Sequence, residues 1–274
     1  MHQLGCCTWI FGNEPLSRIA ERISRIELDG VELHGDTNGI DPKEAGQIFA
    51  DHGLTVFSIT PQDTDISHPD RDIRNTAVNY YKRLVDWACS LGQPAGFPRI
   101  GCHGLVQRIR PVSTQAEEDD LLAVSTRRIC MAADRAGLSV VFEVLNRYES
   151  HQVRTISEGL ALIDRVGVRN LSLLPDSYHM NIEEADPSVS LVRGAGRIGL
   201  YHAADSNRGA VGDGHIDFTG QIAALDQIGY DGPIIFEPSV PGSDPFSTDK
   251  GPGFQDKLEE ILSRSATAIR ALGS

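Results

Sequence analysis

Short apolar or β-branched runs alternate along this chain with longer stretches in which apolar positions recur every three or four residues. The short runs cover residues 3–9, 30–34, 55–60, 99–103, 139–145, 171–175, 198–203 and 233–237. Their length and composition predict strands. The longer stretches, 16–26, 42–52, 70–91, 114–136, 157–166, 188–193, 218–228 and 253–272, carry the helical period. Eight strands alternating with eight helices predict a parallel sheet with crossover helices.

Local punctuation supports several boundaries. Asp41-Pro42 reads as an N-cap followed by a first-turn proline. Gly53, Gly92, Gly137, Gly167 and Gly229 each follow a helical run, where a terminating glycine belongs. No linker, low-complexity tract or charge block divides the chain, so residues 1–274 are expected to form a single domain. An open doubly wound sheet and a closed barrel both accommodate the pattern. No strand is followed by the G-x-G-x-x-G turn of a dinucleotide fold, and 274 residues suit the ~250 of eight strand–helix units. The expectation is an α/β fold, a (β/α)8 TIM barrel, with its chemistry at the C-terminal ends of the strands.

LSLLPDSYHMNIEE, residues 171–184, begins as an apolar run and ends abruptly on Asp176, with His179 one helical turn further on. Other candidate strands end in the same way: Glu143 lies late in SVVFEVLN, His202 in IGLYH, and Glu237 ends PIIFE. The four residues are 33, 26 and 35 positions apart, close to the ~31 residues per unit of a ~250-residue barrel, so they can converge at one mouth. Singly, each could cap a helix or pair with an arginine. Together, four ionisable groups in apolar runs are costly to bury unless they are paired or bind a metal. Three carboxylates and an imidazole suit an octahedral divalent ion with open positions, Mn2+ or Mg2+ before Zn2+. Such an ion is a Lewis acid for a carbonyl and the hydroxyl beside it.

Composition narrows the partners. A formal charge of −13 argues against a nucleic-acid backbone as the main partner. Arg71, Arg74, Lys82 and Arg83 come nearest to a basic stripe, but their helical spacing reads as a solvated face. Cys6, Cys7, Cys89, Cys102 and Cys130 show no C-x-x-C or metal-knuckle spacing and are expected to be reduced thiols. Neither a secretory signal pattern nor an apolar run of ~18 residues is present, so the protein is expected to be soluble and cytoplasmic, with no membrane partner.

Five segments carry a resemblance: EVLNRYE (143–149), DSYHMNIEE (176–184), HAADSNR (202–208), GDGHIDF (212–218) and IIFEP (234–238). In order and spacing they resemble the sugar isomerase and epimerase family with a xylose-isomerase-like barrel, most closely the ketose 3-epimerases of the D-tagatose and D-psicose type. The likeness spans the chain, with its specific motifs in the second half. It implies a xylose-isomerase-like TIM barrel and one divalent metal ion, Mn2+ with Mg2+ or Co2+ as alternatives, held by Glu143, Asp176, His202 and Glu237. It also implies Glu149, His179 and Arg208 as substrate-binding groups, a small-molecule sugar as substrate, and a homodimer or homotetramer. The residues that would choose the sugar are not assigned by it.

The reaction expected is C3 epimerisation of a free ketose through a metal-stabilised cis-enediolate, with Glu143 and Glu237 as the catalytic acid and base. Aldose–ketose isomerisation, dehydration of a keto-sugar or keto-inositol, and cleavage of a 3-keto-glycoside begin with the same proton removal. A more distant reading is an apurinic endonuclease resembling the endonuclease IV family, in which His103, Asp213 and His215 would join the metal ligands. Against it, the third strand reads SITPQ, without the histidine that family needs. Blander roles stand beside the sharper ones. His179 could tether its loop and Arg208 could form a surface ion pair. The loop 209–214 could bind a phosphate or act as a lid, and Trp9 and Phe11 could pack the barrel or form an apolar wall against a sugar.

Overall fold

A computed structural model describes residues 2–242, 247 and 249–272. Eight strands run parallel: β1 (Leu4–Cys7), β2 (Gly30–His34), β3 (Thr55–Thr60), β4 (Arg99–Cys102), β5 (Val140–Val144), β6 (Leu171–Pro175), β7 (Tyr201–Ala203) and β8 (Ile234–Phe236). Their order in the sheet is β6-β5-β4-β3-β2-β1-β8-β7. Parallel bridges Leu173–Ile198 and Asp176–His202 draw β6 and β7 together across the remaining seam, so the sheet is a nearly closed barrel. The helices are α1 (Leu16–Arg25), α2 (Pro42–Asp51), α3 (Arg71–Cys89), α4 (Gln115–Arg135), α5 (Ile156–Val166), α6 (Ser177–Glu183), α7 (Pro187–Arg193), α8 (Phe218–Gln227) and α9 (Phe254–Leu272). This is the (β/α)8 arrangement expected from the alternating pattern.

The joints follow from local chemistry. Asp41 accepts hydrogen bonds from the amides of Lys43 and Glu44, with Pro42 in the first turn of α2. Gly53, Gly92, Gly137, Gly167 and Gly229 have φ of 71°, 67°, 74°, 65° and 68°, the left-handed geometry that ends a helix without a Cβ clash. A Cβ on Gly30 would lie 2.1 Å from the carbonyl oxygen of Thr55, so glycine there lets β2 approach β3. One core joins the barrel to its helices: Leu33, Phe57 and Ile59 on the strands pack with Ile19, Phe49, Leu84 and Leu258 on the helices, all fully buried. Each such side chain contributes about 1.5–3 kcal/mol through burial.

Three local expectations are revised. Between β6 and β7 the chain forms two short helices rather than one over 188–193, because Asp176 N-caps α6 by accepting from the amides of Tyr178 and His179. β1 ends at Cys7 and residues Trp9–Phe11 turn into a 3-10 helix. β7 begins only at Tyr201, because residues 197–200 bond irregularly to Leu173: its amide donates to Arg197 O at 2.7 Å and its carbonyl accepts from Gly199 N at 2.9 Å.

Arg71, Lys82 and Arg83 are exposed on α3, as a solvated face requires. Cys6, Cys7, Cys102 and Cys130 are buried, Cys89 is exposed, and all are free thiols. Among the described residues, no helix is long and apolar enough to cross a membrane.

Candidate active site and metal centre

At the C-terminal mouth of the barrel, Glu143 projects from β5, Asp176 follows β6, His202 lies within β7 and Glu237 follows β8. Each offers one ligand atom, and all four atoms lie within 4.8 Å of one another. His202 Nδ1 is 3.6 Å from Glu143 Oε1, 3.7 Å from Glu237 Oε2 and 3.9 Å from Asp176 Oδ2. Oxygen ligands at ~2.1 Å from one octahedral ion lie up to ~4.2 Å apart, so small side-chain movements suffice to surround one.

Two buried atoms in this cluster have no hydrogen-bond partner, Asp176 Oδ2 and His202 Nδ1. Buried polar atoms are rarely left unpaired, and a cation between them would satisfy both. The far edge of the imidazole explains its orientation: His202 Nε2 lies 3.2 Å from Glu32 Oε2. Donation from Nε2 to that carboxylate leaves the Nδ1 lone pair facing the cluster. Glu32 is itself held by Ser58 Oγ at 2.5 Å and Thr60 Oγ1 at 2.6 Å.

Burial opposes a charge on His202, but Glu32, Glu143 and Glu237 outweigh it and push the imidazole well above its ordinary range, so without an ion the ring carries the positive charge that the carboxylates attract. Burial above all pushes the Asp176 carboxyl up to about 7, and Glu237 adds to the rise against the pull of Arg208 and His202. Burial works against ionisation of Glu237 too, but Arg208 and His202 outweigh it and hold that carboxyl well below the usual range. The residues present therefore fit one divalent ion, with Glu143, Asp176, His202 and Glu237 as its holders.

The expected substrate-binding residues surround this centre. Arg208 Nη1 donates to Glu237 Oε2 at 2.6 Å, and its guanidinium stacks 4.2 Å from the centre of the Tyr178 ring. Its backbone is left-handed, φ 60°, a conformation uncommon outside glycine. His179, in the first turn of α6, is fully buried. Burial first, and then Arg208, push its pKa down, so the ring is neutral at pH 7. Asn146 Nδ2 lies 2.7 Å from His179 Nδ1 and donates to it, which puts the ring proton on Nε2, 4.0 Å from Glu143 Oε1. Asn146 also bonds Glu149 Oε1 at 3.1 Å, and Arg208 Nη2 is 3.9 Å from the same oxygen.

These groups open into a cavity of about 1020 Å³ that also reaches Trp9, His34, Gln62 and His103. Trp9 is on the wall, whereas Phe11 is buried in the core. Asp213 pairs with Arg264, and His215 Nδ1 lies 2.9 Å from Ser206 Oγ, so neither joins the four ligands. In the 209–214 loop the amides of Gly209, Val211, Gly212 and Asp213 are bonded within the protein, to Asn207 Oδ1, Ser265 Oγ, Asp205 Oδ2 and Ala210 O. The loop wraps the buried Asp205, whose carboxylate accepts from the amides of Ser206, Gly212 and Ile216.

Sequence reasoning overlooked Glu32, Asn146 and Asp205. Glu32 carries the same signal as the four strand-end groups, a carboxylate inside the apolar run GVELH, but one that lies deeper in the barrel.

The matching family model, described as xylose isomerase-like TIM barrel, spans residues 20–263. An L-ribulose 3-epimerase of Mesorhizobium japonicum is 35% identical over 206 residues, 74% of this chain and 68% of that protein. A ketose 3-epimerase of Arthrobacter globiformis is 33% identical over 245 residues, 86% of this chain and 83% of that protein. A solved L-ribulose 3-epimerase structure superposes with a TM-score of 0.85 at 26% identity, covering 99% of this chain and 94% of that one. With a family model over most of its length and epimerases as its relatives, this chain belongs to the xylose isomerase-like TIM-barrel family and is an enzyme of the isomerase class.

Proposed function

We propose that the protein is a divalent-metal-dependent epimerase that inverts C3 of a free ketose. The observation that carries the reading is the convergence of three carboxylates on the unpartnered His202 Nδ1, inside a cavity large enough for a sugar. The names of the relatives point to the same reaction.

In a 2-ketose the C3 proton is acidic because the C2 carbonyl can accept the resulting charge as an enediolate. A divalent ion held by Glu143, Asp176, His202 and Glu237, Mn2+ by preference, would supply Lewis-acid stabilisation of that charge. Inversion requires a proton to leave one face and return to the other. Glu143 on β5 and Glu237 after β8 are separated by β6 and β7, and in this reading they flank the substrate, one on each face. Arg208 donates to Glu237 and keeps it ionised. Neutral His179 offers its Nε2 proton to a substrate oxygen, and Glu149 and Arg208 bind neighbouring hydroxyls. Because most amides of the 209–214 loop are already bonded within the protein, an unphosphorylated sugar is favoured over a phosphate ester. Assembly into a dimer or tetramer belongs to the same reading; the exposed Ile109, Val112 and Tyr148 are apolar surface suited to a subunit contact.

The test is to strip the protein with chelator, restore Mn2+, and incubate it with a panel of free ketoses in D2O. Deuterium at C3 with appearance of the C3 epimer is the expected result. Deuterium at C1 with aldose formation would assign an isomerase instead, and exchange on no ketose despite bound metal would overturn the proposal.

A further inference from the structure

A second buried network, outside the metal centre, centres on Arg108. Its guanidinium pairs with Asp65: Nη2 donates to Oδ1 at 3.0 Å, and Nε lies 3.0 Å from Oδ2 as an ion-pair contact without a hydrogen bond. Nη2 also donates to Ser67 Oγ at 2.6 Å, and Nη1 pairs with Glu118. Asp65 and Ser67 belong to the loop after β3, Arg108 to the loop after β4, and Glu118 to the first turn of α4. The loop after β5 is tied in as well: His151 Nε2 lies 2.9 Å from Glu118 Oε2, and the His151 amide donates to Arg108 O at 3.2 Å. A planar guanidinium that holds Asp65, Ser67 and Glu118 on different edges fixes geometry as well as charge.

The network borders directly on the sugar-binding side of the cavity. Gln107 and Glu149 both line it, and the amide of Gln107 donates to the carbonyl of Glu149 at 2.8 Å. Gln107 has φ 67°, a left-handed conformation that persists in a non-glycine residue only where its surroundings enforce it. Arg108, the next residue, supplies those surroundings. We propose that Arg108 is a positioning residue for the substrate: it locks the loops after β3, β4 and β5 into one plate that presents Gln107 and Glu149 to the sugar. Only the choice of substrate rests on the epimerase reading.

The test compares wild type with Arg108→Lys, which keeps the charge but not the several guanidinium contacts, and Asp65→Asn, which removes the charge facing Arg108. Amide hydrogen exchange of peptides covering 104–109 and 146–152 is expected to accelerate together by about tenfold in both variants, while a peptide covering 171–180 is unchanged. Unchanged protection of the Glu149 peptide in both variants overturns the proposal, whatever the reaction is. With a ketose that wild type epimerises, KM is expected to rise about tenfold with kcat and Mn2+ affinity nearly constant. Lower thermal stability with unaltered KM would reduce Arg108 to a structural residue. Absence of epimerisation by wild type would instead count against the proposed function and leave the exchange result to decide the role of Arg108.

Discussion

Glu32 Oε2 lies 3.2 Å from His202 Nε2, on the edge of the ring opposite the three carboxylates that face Nδ1. One buried carboxylate thereby selects the tautomer and aim of the imidazole. Supporting carboxylates of this type typically carry ~10–100-fold in metal affinity. Glu32→Gln is expected to weaken Mn2+ binding by at least about tenfold while the fold persists. Isothermal titration measures this, and an unaltered Kd would remove Glu32 from the metal centre.

Glu143→Gln and Glu237→Gln should each lower C3 deuterium exchange by about 10²–10⁴, the usual contribution of a positioned acid or base. Rates within a few-fold of wild type in either variant would take that residue out of proton transfer. The two losses should not add, because both groups serve one inversion.

Metal removal should cost stability as well as activity. An ion that binds only the folded state at a hundred times its Kd contributes ~2.7 kcal/mol, or roughly 5 °C in Tm for a domain of this size. Scanning calorimetry of stripped and Mn2+-restored protein would show the shift, and Asp176→Asn should abolish most of it.

Glu118 sets a pH dependence of folding remote from the metal. Burial opposes its ionisation, but Arg108 and the amides of Ser113 and Val112 outweigh burial and hold the carboxyl at about 2, against an ordinary 4.5. Its stabilisation is therefore complete above about 4.5 and is lost as the pH falls towards 2. Glu118→Gln should lower stability at pH 7 and flatten the acid limb of the stability curve. Urea unfolding at pH 7 and pH 3 would show this, and equal losses at both would refute it.

The amino-acid sequence by itself determined the (β/α)8 architecture, because strand and helix periods, caps and terminating glycines are local properties. Asp41 and Gly167 act through atoms a few residues away, so their geometry could be read directly. The spacing of Glu143, Asp176, His202 and Glu237 was legible for a related reason: in a barrel, one residue per repeat at a strand end points to one mouth. The short helix α6 escaped because Asp176 serves as cap and strand-end carboxylate at once.

Tertiary structure alone decided which buried polar group meets which. Glu32 and His202 are 170 residues apart, and Arg108 gathers partners from three loops. Nothing in GVELH distinguishes a carboxylate that orients an imidazole from one that could hold a metal. That distinction depends on depth along the barrel, with Ser58 and Thr60 beside Glu32 to satisfy its oxygens, and depth is set only when all eight strands close around a common axis. The same holds for the 209–214 loop, whose glycines read equally well as a phosphate cradle or a lid until folding put Asp205 among their amides.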